Sequence, residues 1–190
     1  MKERIEKGHS IIAFPEEYVC IDVETTGLDF EYDEIIEIGA VRVKSGTSTE
    51  KFSSLIKPSS PIPEFIENLT GITNEELSTA PAPKYVIDNF RSFIGNSILV
   101  GHNVHFDVNF LYDSFERFGP NLKNDFVDTL KISRKLYPKM QHHRLSDLVE
   151  KLGISQDISH RALADAEATV ECYEKMKKEI LSVQSFQTFV

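Results

Sequence analysis

Hydrophobic and polar positions follow two different rhythms along the chain. Residues 18–23 (YVCIDV) form a short apolar run rich in β-branched and aromatic side chains, which predicts a buried strand, and Thr25-Thr26-Gly27 breaks it. Residues 35–43 predict a second strand, Ser45-Gly46 a turn, and residues 49–56 a third strand, so this half reads as a three-strand meander. Residues 57–63, with prolines at 58, 61 and 63, predict a surface loop. Beyond it the apolar spacing becomes helical: Val86, Ile87, Phe90, Phe93 and Ile94 recur within residues 83–94. Short strands at 98–100 and 126–127 alternate with helical stretches at 104–118, 129–136, 145–152 and 162–181. A meander followed by alternating strand and helix predicts an α/β fold, with a mixed five-stranded sheet flanked by helices.

Size and composition narrow the class. The 190 residues suit one domain, read here as residues 17–181, with an N-terminal extension at 1–16 and a tail at 182–190. The start, MKERIEKGHS, is charged and leads into only four apolar residues, unlike a secretory signal, and no apolar run approaches membrane-spanning length. Cys20 and Cys172 are too few for a disulfide framework or a four-cysteine zinc site, and read as buried thiols in a reducing compartment. These features predict a cytoplasmic protein with no membrane partner. A net charge of −9 argues against a protein that grips nucleic acid by phosphate neutralisation alone. It leaves room for a local basic stripe, or for carboxylates holding cations that in turn hold phosphate.

Asp-x-Glu occurs at Asp22/Glu24, Asp29/Glu31 and Asp165/Glu167, and a lone match of this kind means little. Asp29/Glu31 falls in a polar stretch and reads as a solvated turn. Asp165 and Glu167 lie two apart on a helix and face different ways. Asp22 and Glu24 end an apolar strand on one face, which is costly unless something positive meets them. Asp107 opens a helix just after a buried strand, where α/β proteins place their sites. Asp128 ends another strand and reads as a cap for the helix that follows. His160-Arg161-Ala162-Leu163-Ala164-Asp165-Ala166 has alanines that allow close backbone approach beside Asp165. For His160 to share a site with Asp165, it must lie on the loop before the helix, because five residues of helix would turn it away.

Three ordered motifs resemble a known family. They are Ile21-Asp22-Val23-Glu24-Thr25-Thr26-Gly27-Leu28, Gly101-His102-Asn103-Val104-His105-Phe106-Asp107, and the His160 to Ala166 segment. With Leu69-Thr70-Gly71-Ile72-Thr73 and the stretch from Asp128 to Pro138, the chain resembles the DEDDh 3′–5′ exonucleases of the ribonuclease H-like superfamily. Within them it is similar to the proofreading type found as the epsilon subunit, or as an inserted domain, of bacterial replicative DNA polymerases. The resemblance implies that Asp22, Glu24, Asp107 and Asp165 hold two divalent cations, Mg²⁺ or Mn²⁺, and that His160 is the general base. It implies stepwise release of nucleoside 5′-monophosphates from DNA 3′ ends, in proofreading or repair. It also places Thr25, Thr26, Gly27 and Leu28 around the terminal nucleotide, with His102 and Asn103 on the substrate side. Phe106 reads equally as a base-stacking platform or as core, and His102-x-x-His105 is a weaker zinc alternative.

Other readings stay open at this level. The same chemistry on RNA is an alternative, as is a non-catalytic binding subunit, which would be expected to have lost some of the five site residues. Lys131, Arg134, Lys135, Lys139 and Arg144, with His142 and His143, form an acid-free stripe that reads either as a phosphate track or as a solvated face. Association with a polymerase or a sliding clamp is also implied. The uncharged tail with Phe186 and Phe189 either folds back onto the domain or docks on a clamp groove.

Overall fold

A computed structural model of the chain describes Arg4 and residues 6–155 and 160–184. Its strands are β1 (Ser10–Ile11), β2 (Glu17–Thr25), β3 (Ile35–Lys44), β4 (Thr47–Leu55), β5 (Leu99–Gly101) and β6 (Phe126–Asp128). Its helices are α1 (Glu64–Thr70), α2 (Asn74–Thr79), α3 (Pro83–Ile94), α4 (His105–Phe118), α5 (Thr129–Leu136), α6 (Leu145–Leu152) and α7 (Ala162–Gln184).

Strand alternation sorts the core into two layers. Along β2, Val19, Ile21 and Val23 join Phe90 and Ile94 of α3 and Val108 and Leu111 of α4 on one side of the sheet. Tyr18 and Cys20 point the other way and pack with Ile132 of α5 and Val170, Tyr173 and Met176 of α7. The sheet is therefore covered on both sides, as its almost unbroken apolar central strands require. Both cysteines are buried and unpaired.

Strand order is β1-β6-β5-β2-β3-β4. β2, β3 and β4 form the antiparallel meander, and Ser45 and Gly46 make its two-residue turn with φ of 48° and 73°. β5, β6 and β1 extend the sheet in parallel with β2. The sheet thus has six strands where the periodicity predicts five. The sixth is the two-residue β1, which pairs with Phe126 and Val127, and two residues are too few to carry an alternation signal. Two short helices, α1 and α2, likewise follow the proline loop without having been anticipated. α2 begins with a capping box in which Thr73 accepts from the Glu76 backbone while the Glu76 carboxylate accepts from Thr73.

Because β2, β5 and β6 run the same way, their C-terminal ends share one edge of the sheet, the edge where open α/β sheets carry ligands. Behind that edge, Phe90 is fully buried with the rings of Phe52 and Phe115 at 5.3 and 6.3 Å. Phe90→Ala should lower the unfolding free energy by about 3–5 kcal/mol in urea denaturation. Truncating Phe65, which is 64% exposed on α1, should change it by less than about 0.5 kcal/mol.

Candidate active site

Along β2 the side chains facing α7 change from apolar to acidic in a single column of alternate residues: Tyr18, Cys20, Asp22, Glu24. Their partners across the ladder on β3 are Val43, Val41, Gly39 and Glu37. Asp22 and Glu24 therefore share a face, as their spacing predicts, and both are half-buried.

β5 stops two residues into its pairing with β2, which leaves the Val23 N–H beyond its end without a β5 carbonyl. Asp107, in the first turn of α4, supplies the acceptor, with its carboxylate 3.0 Å from Val23 N. It is 4% exposed, so a single buried acid both completes the β2 backbone and faces Asp22. Asp128 caps α5 by accepting from Leu130 N and also accepts from Asn103 N at 3.0 Å. That second bond holds Asn103 at φ 56°, in the left-handed region that asparagine tolerates better than most residues.

His160 lies outside α7, at φ 47° and exposed to solvent, as sharing a site with Asp165 requires. The start of α7 meets β3 closely: a Cβ on Gly39 would fall 2.1 Å from the Ala162 carbonyl carbon and 2.2 Å from Leu163 N. Ala162, Ala166 and Ala168 are buried, so the small residues read from the sequence do permit a close backbone approach. Glu37, 2% exposed on β3, accepts from Arg161 Nη2 and from Ala162 N, both at 2.9 Å. Glu37 is not among the candidate residues that the motifs supply, although it is a lone acid inside the apolar run 35–43.

Glu24, His160 and Asp165 each offer a ligand atom, and these atoms lie within 4.8 Å of one another. Burial, then Asp107, Glu24, Asp165 and Glu37, push the Asp22 carboxyl well above its ordinary range. Burial raises Asp107 to about 8, and burial with Asp165, Glu37 and Asp107 raises Glu24 to about 8, partly opposed by Arg161. The site is thus short of positive charge, and its mostly oxygen donor set with one imidazole suits a hard divalent cation.

Next to the acids, the loop after β2 is shaped by its own hydroxyls. Thr25 Oγ1 donates to Gly27 O at 2.6 Å, and Thr26 Oγ1 donates to Asp33 Oδ1 at 2.8 Å. Asp33 also packs against Gly27, where a Cβ would come within 2.4 Å of its carboxylate. Asp29 and Glu31 belong to this turn, with Glu31 N donating to the Asp29 carboxylate. Leu28 projects from the loop, 81% exposed.

Leu28 forms one wall of an open groove that His160, Asn103, Phe106, Arg134 and Arg144 also line. Phe106 has both of its anticipated surroundings: its ring packs on Phe30 and Phe110 at 5.7 and 4.9 Å, and it also borders the groove. His102 is tied to the groove wall, with Nε2 donating to the His143 carbonyl at 2.8 Å and Nδ1 3.0 Å from Thr129 Oγ1. His105 instead lies edge-on to Phe126 and 3.0 Å from Lys131 Nζ, so the two histidines have separate partners. The basic stripe divides in the same way. Arg134, His142, His143 and Arg144 line the groove, whereas Lys131 bonds Ser10 and His105.

The raised carboxyls carry a stability prediction. An unfolded carboxyl titrates near ~4. In the fold Asp107 and Glu24 titrate at about 8, so their contribution is fully present below the unfolded value and is lost as pH rises through about 8. In EDTA, the melting temperature should therefore fall between about pH 4 and about pH 8. Mg²⁺ should restore it, and Asp107→Asn should flatten the fall. Calorimetry across that range checks all three outcomes.

Comparison with known proteins identifies the chain's relatives. The family model described as Exonuclease (RNase_T) matches residues 19–173. The subunit epsilon of DNA polymerase III from Aquifex aeolicus is 40% identical over 164 residues, covering 86% of this chain and 81% of that protein. DNA polymerase III PolC-type proteins of Clostridium perfringens and Bacillus subtilis are 41% and 44% identical over 88% and 86% of the chain. The chain spans only 12% of the length of either PolC-type protein. Among solved structures, Escherichia coli exonuclease I with a dT13 oligonucleotide superposes with a TM-score of 0.76 at 22% identity, over 90% of this chain and 43% of that one. Exonuclease X with 5′-overhanging duplex DNA gives a TM-score of 0.65 at 23% identity, over 91% and 94%. These two speak for a shared ribonuclease H-like fold. The chain belongs to the exonuclease family and is related to the epsilon and PolC-type proteins of DNA polymerase III.

Proposed function

We propose that the chain hydrolyses DNA from its 3′ end, one nucleotide at a time, with two divalent cations held by Asp22, Glu24, Asp107 and Asp165. The observation that carries this reading is the set of four carboxylates, Asp22 and Glu24 of β2 with Asp107 of α4 and Asp165 of α7, gathered beside an exposed histidine. When bound, Mg²⁺ or Mn²⁺ would stabilise charge on the phosphate and leaving oxygen and favour ionisation of the attacking water.

The chain's own residues supply the rest. His160 takes the proton of the attacking water on an imidazole nitrogen, which its exposed position ahead of α7 leaves accessible. Thr25, Thr26, Gly27 and Leu28 form a pre-shaped loop for the terminal nucleotide, held by the bonds among Thr25, Gly27, Thr26 and Asp33. Leu28 and the groove-side edge of Phe106 offer apolar contact to bases, and stacking of this kind is indifferent to sequence. His102 and Asn103 shape the opposite wall, and Arg134 and Arg144 meet the strand's phosphates.

Similarity to epsilon and PolC-type proteins supports a cytoplasmic role beside a replicative polymerase, in proofreading. No helix among the described residues is long and apolar enough to cross a membrane. Residues 182–184 of the tail continue α7, and residues 185–190, with the Phe186 and Phe189 of the clamp-docking reading, lie outside the described residues.

Digestion of 3′-labelled single-stranded DNA, mismatched duplex and RNA in parallel tests the reading. With Mg²⁺ or Mn²⁺ the DNA should yield nucleoside 5′-monophosphates, and EDTA should stop the reaction. Asp22→Ala and Asp165→Ala should each abolish nearly all activity, and His160→Ala should lower turnover by roughly 10²–10⁴-fold. Full activity of Asp22→Ala, or shortening of the strand from its 5′ end with the 3′ label retained, contradicts the proposal.

The groove has its own test. Arg134→Ala and Arg144→Ala should raise KM more than they lower kcat, and each should reduce the salt dependence of DNA binding by roughly one phosphate contact. Fluorescence anisotropy at several salt concentrations reads the slope.

A further inference from the structure

Glu37 faces the same site but is absent from the proposed metal set. It sits directly across the ladder from Glu24 and is 2% exposed. Both of its oxygens are engaged by the start of α7. Oε1 accepts from Arg161 Nε at 3.2 Å and Nη2 at 2.9 Å, and Oε2 accepts from Arg161 Nε at 3.2 Å and Ala162 N at 2.9 Å. A carboxylate committed in this way to a guanidinium and a backbone N–H is turned toward the helix.

We infer that Glu37 is a positioning residue that sets where His160 and Asp165 stand relative to Glu24. The connection is short. His160 is the residue before Arg161, and the Asp165 N–H donates to the Arg161 carbonyl at 3.1 Å. Any shift of Arg161 therefore moves the proposed base and the last acid together. Gly39 supplies a second fixed point on the same face of β3, where Ala162 and Leu163 approach too closely for a side chain. Gly39 sets the distance of α7 from the sheet, and the Arg161 fork sets its rotation, since paired parallel hydrogen bonds are directional. His160 at φ 47° occupies a backbone region that persists only where the surroundings hold it, and the anchor is its immediate neighbour.

Stability alone gives little reason for such a pair. An ion pair with one partner 41% exposed contributes little on average, whereas metal ligands must be held to within about half an ångström. Partners that orient ligands, without touching the ion, commonly change affinity or activity by about 10–100-fold.

The inference rests on the proposed metal site, so the test reads metal directly. Mn²⁺ binding to the full chain, without DNA, would be followed by electron paramagnetic resonance. Wild type would be compared with Glu37→Gln, Arg161→Lys and the double variant, alongside steady-state kinetics and thermal unfolding. Glutamine keeps the shape and one oxygen for Ala162 N. Arg161→Lys, at a side chain 41% exposed, keeps the test available should Glu37→Gln fail to fold.

Each single variant should weaken Mn²⁺ binding about 10-fold and lower kcat by about 10–100-fold, with KM for the oligonucleotide nearly unchanged. The double variant should be no worse than the weaker single, because both remove one coupling. Wild-type Mn²⁺ affinity and kcat in a folded Glu37→Gln, with only a lower melting temperature, would overturn the inference. So would Mn²⁺ binding that weakens in Glu37→Gln but tightens in Arg161→Lys, since Glu37 would then be a ligand itself. If wild type binds no Mn²⁺, the metal reading fails first and the positioning role falls with it.

Discussion

Mutual repulsion among carboxylates at one edge of the sheet is the constraint that organises this molecule. Asp22, Glu24, Asp107 and Asp165 are brought together from a strand and two helices, and burial raises the cost of charging the first three. An arrangement of this kind opposes folding at high pH unless protons or cations are supplied, so it is retained against a gradient of stability. The surrounding structure is densely packed where the acids are. Two buried layers flank β2, and the acids continue an alternating column whose first members are the fully buried Tyr18 and Cys20.

The fold uses its acids twice. Asp107 satisfies the Val23 N–H that β5 leaves unpaired, and Asp128 caps α5 while fixing the turn at Asn103. Glu37 binds the first residues of α7. Each interaction is local in space but distant in sequence, with separations of 84, 25 and 124 residues for Asp107–Val23, Asp128–Asn103 and Glu37–Arg161. A site held by such long-range bonds forms only when the sheet and both helix layers are in place. Its geometry is therefore coupled to the whole domain and not to any one loop.

The groove shows the same economy on its polar and aromatic sides. Phe106 belongs to a cluster with Phe30 and Phe110 and still presents an edge to the groove, and His102 links the β5 turn to the segment carrying His143. A net charge of −9 coexists with a local basic surface, since Arg134, Arg144, His142 and His143 line one groove of the molecule.

Much of this was legible in the residues themselves. Period-two and helical spacing located the meander, β5, β6 and the longer helices, because those patterns reflect which face each side chain buries. Strand alternation put Asp22 and Glu24 on one face, and helical geometry required His160 to precede α7; the structure agrees on both. Three ordered motifs of this length were enough to show the resemblance to the family, and the family model matches residues 19–173. What the residues could not display was contact across the chain. β1 is a strand only because β6 offers it an edge, and α1 and α2 are too short to show a period. Nothing local distinguished the stripe's Arg134, which lines the groove, from its Lys131, which is bound to Ser10 and His105. Glu37 was visible as an acid among β-branched residues, but its partners lie 124 and 125 residues away, and only tertiary packing brings a strand's carboxylate to a helix's first N–H.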